Sequence, residues 1–148
     1  MQMKKIVLML TLATLALAGC EKRPAPLSID NSLTAEEIAA ARLTPEVMWK
    51  MSRGSQSSLS PDGATLLYAK TDYSMAENRG VTTLWKMDCA SKEVKQLTTS
   101  ESNAAAPQWS ADGEHIYFLS DRSGSMQLWK MTAAGEDPQQ VSDFTFDI

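Results

Sequence analysis

Residues 84–87, Leu-Trp-Lys-Met, recur unchanged at 128–131, forty-four positions later. A longer pattern repeats around them. Ser60-Pro61-Asp62-Gly63 returns as Ser110-Ala111-Asp112-Gly113, and Gln96-Leu97-Thr98 returns as Gln140-Val141-Ser142. A period of this length, made of short alternating segments, marks a β-propeller in which each unit is one four-stranded blade. A lone blade cannot bury both faces, so neighbouring units must stack. The offset of the Ser60–Gly63 turn is fifty and the other two are forty-four, so the first copy carries six extra residues, placed near 72–80.

In the second unit the pattern predicts strands at 107–110, 115–120, 127–132 and 139–142. Asp112-Gly113 supplies a tight reversal, because glycine tolerates positive φ and aspartate bonds its own backbone. Residues 121–124 and 133–137 make the other turns. Ile116, Phe118, Leu128 and Met131 are candidates for the faces stacked between blades. Period alone leaves Trp109 and Trp129 open between core and rim. The fold class expected is all-β: a partial β-propeller of about two blades (54–100 and 104–143, within 54–148), preceded by short helices.

Of the 148 residues, 43% are hydrophobic and 22% charged, as in ordinary globular chains. That excludes a disordered acidic tail, a collagen-like fibre and a polytopic membrane protein. With a net charge of -4, the chain has no basic excess with which to bind a phosphate backbone, so nucleic acid is not an expected partner.

The start of the chain reads as a targeting segment. Lys4 and Lys5 precede an apolar run at 6–18, too short to span a bilayer and suited to a signal h-region. The run ends in Leu17-Ala18-Gly19-Cys20, which resembles the bacterial lipoprotein box. Residues 1–19 are therefore expected to be a lipoprotein signal, with Cys20 lipidated. Losing Lys4 and Lys5 moves the formal balance from -4 to -6. Several acyl chains on one cysteine would give a stable anchor. The expected location is the bacterial cell envelope, facing periplasm or cell surface, with the membrane as partner through Cys20. Cys89 is then alone, so no intrachain disulfide can form, and it is expected to be a buried or half-buried structural thiol.

Residues 20–33, with Pro24 and Pro26, read as a tether. Residues 34–53 read as a helical lead-in. Thr34-Ala35-Glu36-Glu37 matches a capping box and predicts a helix over 35–42. Thr44-Pro45-Glu46 starts a second helix, with proline at its first position. Val47, Met48 and Met51 are expected to cover one side of it, and both helices to dock on the domain that follows or to lead into it.

Trp109-Ser110-Ala111-Asp112-Gly113, with Ile116-Tyr117-Phe118-Leu119-Ser120-Asp121-Arg122 and Leu128-Trp129, resembles the repeat of TolB-type propellers. The same repeat builds the propeller of prolyl oligopeptidase family peptidases. Leu43-Thr44-Pro45-Glu46-Val47-Met48-Trp49-Lys50-Met51 resembles the lead-in of bacterial acylaminoacyl and dipeptidyl peptidases of that family, followed there too by a Ser-Pro-Asp-Gly turn. Residues 73–78 resemble their extended first hairpin. The resemblance spans 43–148. It implies a propeller of about seven or eight blades ahead of an α/β-hydrolase domain. It also implies a serine peptidase that cleaves short oligopeptides near their N-terminus through an acyl-enzyme, the propeller filtering substrates.

None of that chemistry is encoded in these residues. No Gly-x-Ser-x-Gly elbow occurs; Gly54-Ser55-Gln56-Ser57 and Gly124-Ser125-Met126 lack the spacing. A triad needs a histidine, and the single one, His115, starts a strand. No catalytic residue, cofactor or metal is therefore expected. One histidine and one free cysteine cannot make a zinc cluster. Asp62, Asp112 and Asp121 fit turn chemistry and not an EF-hand. Glu36 and Glu37 fit a helix start. The residues singled out are Cys20 for lipidation and the repeat turns Ser60, Pro61, Asp62, Gly63, Ser110, Asp112 and Gly113. The insertion at 72–80 reads first as a plain long hairpin, and it is the best candidate for contact with a partner or substrate.

Two blades cannot close a ring, so this piece is expected to be marginal or aggregation-prone alone. The favoured reading is a non-catalytic N-terminal propeller segment of a lipid-anchored serine peptidase acting on short peptides. The alternative is a TolB-like propeller lipoprotein that binds a partner without catalysis. A third is a truncated lipoprotein with no preserved role.

Overall fold

The computed structural model of the chain describes residues 26–27 and 29–148. Cys20 and the signal at 1–19 lie outside the described residues. Within 20–33, Leu27 is only 4% exposed and its carbonyl accepts from Ser100 Oγ at 2.9 Å. This part of the expected tether therefore touches the body of the protein.

Two short helices come first, α1 (Ala35–Ala40) and α2 (Pro45–Lys50). Both halves of the capping box form: Glu37 N donates to Thr34 Oγ1 at 3.2 Å, and Thr34 N to Glu37 Oε2 at 2.8 Å. The helix stops two residues earlier than expected, because Ala41 turns left-handed at φ 45° and its N–H returns to Ile38 O. In α2, Thr44 caps and Pro45 leads, as its sequence dictates. The expected apolar side is not formed. Met48 and Met51 are exposed, and Val47 is half-buried. The helices are held instead by Lys50 against Glu37 at 2.8 Å and by Trp49 set edge-on to Tyr73 at 5.3 Å.

Eight strands follow in two four-stranded antiparallel meanders. The first blade holds β1 (Arg53–Leu59), β2 (Thr65–Ser74), β3 (Arg79–Asp88) and β4 (Val94–Gln96). The second holds β5 (Ala104–Trp109), β6 (His115–Ser120), β7 (Gln127–Thr132) and β8 (Gln139–Gln140). The chain is thus a partial β-propeller of two blades. The six extra residues of the first copy lengthen one hairpin, since β2 and β3 have 10 residues each where β6 and β7 have 6.

β5 begins three residues before the expected 107 because a bulge lets pairing continue past Pro107. Ala106 lies at φ 49° there, and Gln56 at φ 44° makes the same irregularity in β1. The two bulges meet across the blades, where Ala106 N donates to Gln56 Oε1 at 2.9 Å.

One core serves both blades. Leu67, Ala69 and Leu84 of the first blade pack with Ala104, Ile116, Phe118 and Met131 of the second, and Leu97, Trp109 and Trp129 close over them. Both tryptophans whose place the period left open are therefore core-flanking. Each buried large apolar side chain contributes about 1.5–3 kcal/mol relative to exposure. Leu128, expected in this layer, is not there. It pairs with Leu119, whereas Ile116 pairs with Met131 and Phe118 with Trp129. The pleat sends alternate pairs to opposite faces, so Leu128 points away from the first blade and is half-buried.

Polar links add register. Lys86 Nζ donates to Ala133 O at 3.0 Å and Lys95 Nζ to Ala134 O at 3.2 Å. Asp121 holds Asn103 by its backbone N–H at 2.8 Å and its amide at 2.7 Å, and Asn103 Oδ1 accepts from Thr82 N at 3.0 Å. Leu97 lies so close over Gly135 that a Cβ there would stand 2.7 Å from Leu97 Cδ2.

Candidate functional site

The two repeat turns are chemically the same object. In the first, Ser60 Oγ donates to Asp62 Oδ1 at 2.5 Å and accepts from Thr65 N at 2.8 Å, while Ala64 N reaches Asp62 Oδ1 at 3.0 Å. In the second, Ser110 Oγ donates to Asp112 Oδ1 at 2.5 Å and accepts from His115 N at 2.9 Å, while Glu114 N reaches Asp112 Oδ1 at 2.9 Å. Gly63 and Gly113 stand at φ 73° and 74°, a region that side chains other than glycine enter at a cost.

The fold brings most of the singled-out residues together. Ser60, Pro61 and Asp62 face Asp112 and Gly113 across a cleft of about 320 Å³, with Lys86, Trp109 and Ala133 also lining it. Ser110 stays within its own turn, and Cys20 falls outside the described residues. The Lys86 ammonium in this cleft is already bound to Ala133 O.

Each turn carboxylate is held below the usual aspartate range, first by the serine hydroxyl and then by a backbone N–H; at Asp112 the nearby His115 adds to this. Asp88 is lowered in the same way, by the Ser91 backbone N–H first. A weakly basic, hydrogen-bonded carboxylate is a poor general base and, being ionised, no general acid. The same shifts fix a pH dependence. Groups whose folded value is depressed stabilise above the unfolded aspartate value of about 3.9, and lose that contribution as pH falls through the folded value. Stability should be level down to about pH 5 and then fall on acidification. Thermal melts from pH 7 to 3 check this, and Asp62→Asn with Asp112→Asn should flatten the decline.

Asp112, Glu114 and His115 bring three donor atoms within 4.8 Å of one another, a grouping the metal count from sequence passed over. Its signal was the close spacing of acid, acid and histidine in one turn. Asp112 and Glu114 are exposed, and Asp112 Oδ1 already takes two hydrogen bonds, so turn formation accounts for the group. Ser110 is engaged by the His115 backbone and by Asp112, not set against an imidazole as a nucleophile. Cys89 is free and half-buried.

The second cluster joins the lead-in to the long hairpin. The Arg53 guanidinium lies 5.2 Å from the Trp49 ring and 4.8 Å from the Tyr73 ring. Ser52 Oγ donates to Asp72, and Lys70 pairs with Asp72 at 3.0 Å. Sequence reasoning had picked out both segments without Arg53, which binds them; a cation beside two aromatics was the available signal.

A family model of the TolB beta propeller domain matches residues 55–145. The chain belongs to the TolB beta propeller family. This TolB-type propeller is 43% identical over 86 residues to dipeptidyl-peptidase 5 of Porphyromonas gingivalis, covering 58% of this chain and 13% of that protein. It is 28% identical to a protein assigned as TolB from Agrobacterium tumefaciens, with a TM-score of 0.55 over 64% of this chain and 32% of that one. The Pyrococcus horikoshii acylaminoacyl peptidase shares the fold at 18% identity, with a TM-score of 0.55 over 66% of this chain and 15% of its own. The likeness to peptidase propellers read from residues 43–148 is thus borne out. Among the described residues no helix is long and apolar enough to cross a membrane.

Proposed function

We propose that this chain is the N-terminal, non-catalytic propeller segment of a lipid-anchored serine peptidase that acts on short peptides at the bacterial envelope. The observation that carries the reading is the 43% identity to dipeptidyl-peptidase 5. The joined lead-in and long hairpin support it, since both were features of the peptidase resemblance. The chain spans 13% of that relative, so the nucleophile elbow and triad would be supplied by residues beyond these. The segment's part would be to position and filter peptides beside that site. A serine-reactive fluorophosphonate probe on membranes of the source cells tests it. Labelling of the polypeptide that carries residues 109–122 is expected, and its absence under conditions that label other serine hydrolases would sink the peptidase reading.

The anchor is tested separately. Cys20→Ser should abolish incorporation of labelled fatty acid and move the polypeptide from membrane to soluble fraction, because the acyl chains on that cysteine would be its anchor. Unchanged fractionation would remove the lipid from the account.

The 28% identity to the Agrobacterium protein favours a second reading, a binding module without catalysis. A chain whose native product ends after its last blade, with no serine-probe label, would decide for it.

A further inference from the structure

The lead-in joins the body at one end of the blades. β1 starts at Arg53, which pairs with Thr71, toward the tip of the long hairpin where Ser74 pairs with Arg79. β4 runs back to that same end, since Val94 pairs with Met87 and Gln96 with Trp85. Ser100 follows it there, and its hydroxyl donates to the carbonyl of Leu27 at 2.9 Å. The Asp-Gly turns at 60–63 and 110–113 lie at the opposite end, about 30 Å away for strands as long as the 10 residues of β2.

The lead-in is fastened at this hairpin end. Lys50 Nζ donates to Glu37 Oε2 at 2.8 Å and to Ser32 O at 3.2 Å, so α2 is tied to α1 and to the segment before it. Trp49 stands edge-on to Tyr73 at 5.3 Å. Yet neither helix has a buried residue. Ile38 is 63% exposed, Leu43 67%, Met48 51% and Met51 56%. Further blades of a longer propeller stack on blade faces and not on strand ends, so they would leave these side chains as they are. The way back to Cys20 is short. Leu27 lies seven residues on, and a chain of that length reaches at most about 25 Å when fully drawn out. The polar headgroup layer alone takes up about 5–7 Å of that reach.

We propose that the hairpin end of the propeller stands on the lipid surface that takes the acyl chains of Cys20, with Ile38, Leu43, Met48 and Met51 set into the interface. The proposal rests on the lipid anchor of the proposed function. Apolar area buried at the headgroup boundary adds to the hold of the acyl chains. The exposed side chains of the lead-in gain a partner within reach of the anchor, and the blades need not change to make the contact. The lead-in carries Glu36 and Glu46 as well as Arg42, so the contact depends on apolar area rather than on attraction to anionic headgroups. The Asp-Gly turns and the cleft between them then point away from the bilayer, into the aqueous side.

The test uses the full native polypeptide, acylated in a bacterial host and inserted from outside into vesicles of phosphatidylethanolamine and phosphatidylglycerol. Met48→Cys, Met51→Cys and Ala111→Cys each place a thiol at an exposed position, the last in the far turn. Their rates with a charged, membrane-impermeant maleimide are read peptide by peptide by mass spectrometry, and again in solution in the Cys20→Ser background. Met48→Cys and Met51→Cys should react about tenfold slower on vesicles than in solution, while Ala111→Cys reacts equally in both. Circular dichroism shows that each variant is folded. Unchanged rates at all three positions would overturn the proposal. So would slow reaction at 48 and 51 in both forms, because polypeptide rather than lipid would then cover them, or slowing at 111 as great as at 48. A native chain that takes up no acyl group and does not float with the vesicles would instead remove the anchor itself, and this proposal with it.

Discussion

Phe118→Ala should cost about 3–5 kcal/mol of stability, the range for emptying a large buried aromatic site. Set against the roughly 5–15 kcal/mol that holds a typical domain, that removes a large share of the total. Phe118 is 1% exposed and stands between the blades, next to Trp129 on its own face. Because one buried cluster spans both blades, the loss should lower a single transition rather than split it in two. Urea unfolding followed by tryptophan emission and by circular dichroism reads this directly. Leu128→Ala, on the half-buried outer face, serves as the comparison and should cost less, since less surface is removed from contact. A Phe118→Ala chain within about 1 kcal/mol of the wild type would mean that the blades do not share a core.

Gln127→Ala should release the tail that follows β8. The Gln127 side chain is fully buried, with 0% exposure. Its Nε2 donates to Ser125 Oγ at 3.0 Å, to Phe144 O at 3.0 Å and to Phe146 O at 3.1 Å. Its Oε1 accepts from Ser142 Oγ at 2.8 Å and Phe144 N at 3.0 Å. Alanine removes the partner of Phe144 N, Phe144 O and Phe146 O, each loss costing about 1–3 kcal/mol where water cannot replace the amide, while Ser142 Oγ keeps the bond it accepts from Leu128 N at 2.9 Å. The expected outcome is faster amide exchange at Phe144 and loss of the stacked Phe144–Phe146 pair, whose rings lie 5.4 Å apart. The same position in the first blade is Thr83, whose Oγ1 accepts from Trp85 Nε1 at 2.9 Å. In the second blade the amide has turned to the tail, and Trp129 Nε1 is left without an acceptor among the described residues. Gln127→Thr should therefore give the ring its acceptor while still freeing the tail. Unchanged exchange at Phe144 in both variants would contradict this role.

The repeats made the blades legible because spacing and turn chemistry are local properties. Ser110 to Gly113 specify their own reversal, and β6 and β7 fall where the repeat puts them. What each residue faces was less legible. Leu128 reads as apolar in an apolar layer, and only the pairing with Leu119 shows which side it takes. The bulge at Ala106 was hidden for a related reason, since it depends on a partner in another blade, Gln56. The lead-in illustrates the same limit. Its caps were plain in the sequence, but its docking rests on Arg53 between Trp49 and Tyr73, twenty residues away on the hairpin. The turn cleft was legible residue by residue; that two turns face each other across it required the blade stacking.

The mass of the native membrane polypeptide that carries residues 109–122 tests the proposed function most directly. A serine-probe-labelled species several times heavier than the 16.2 kDa of this chain is the result the proposed peptidase reading expects, since that reading puts the nucleophile outside these residues. An unlabelled species near the mass of the chain itself would contradict it, leaving a propeller that binds without cleaving.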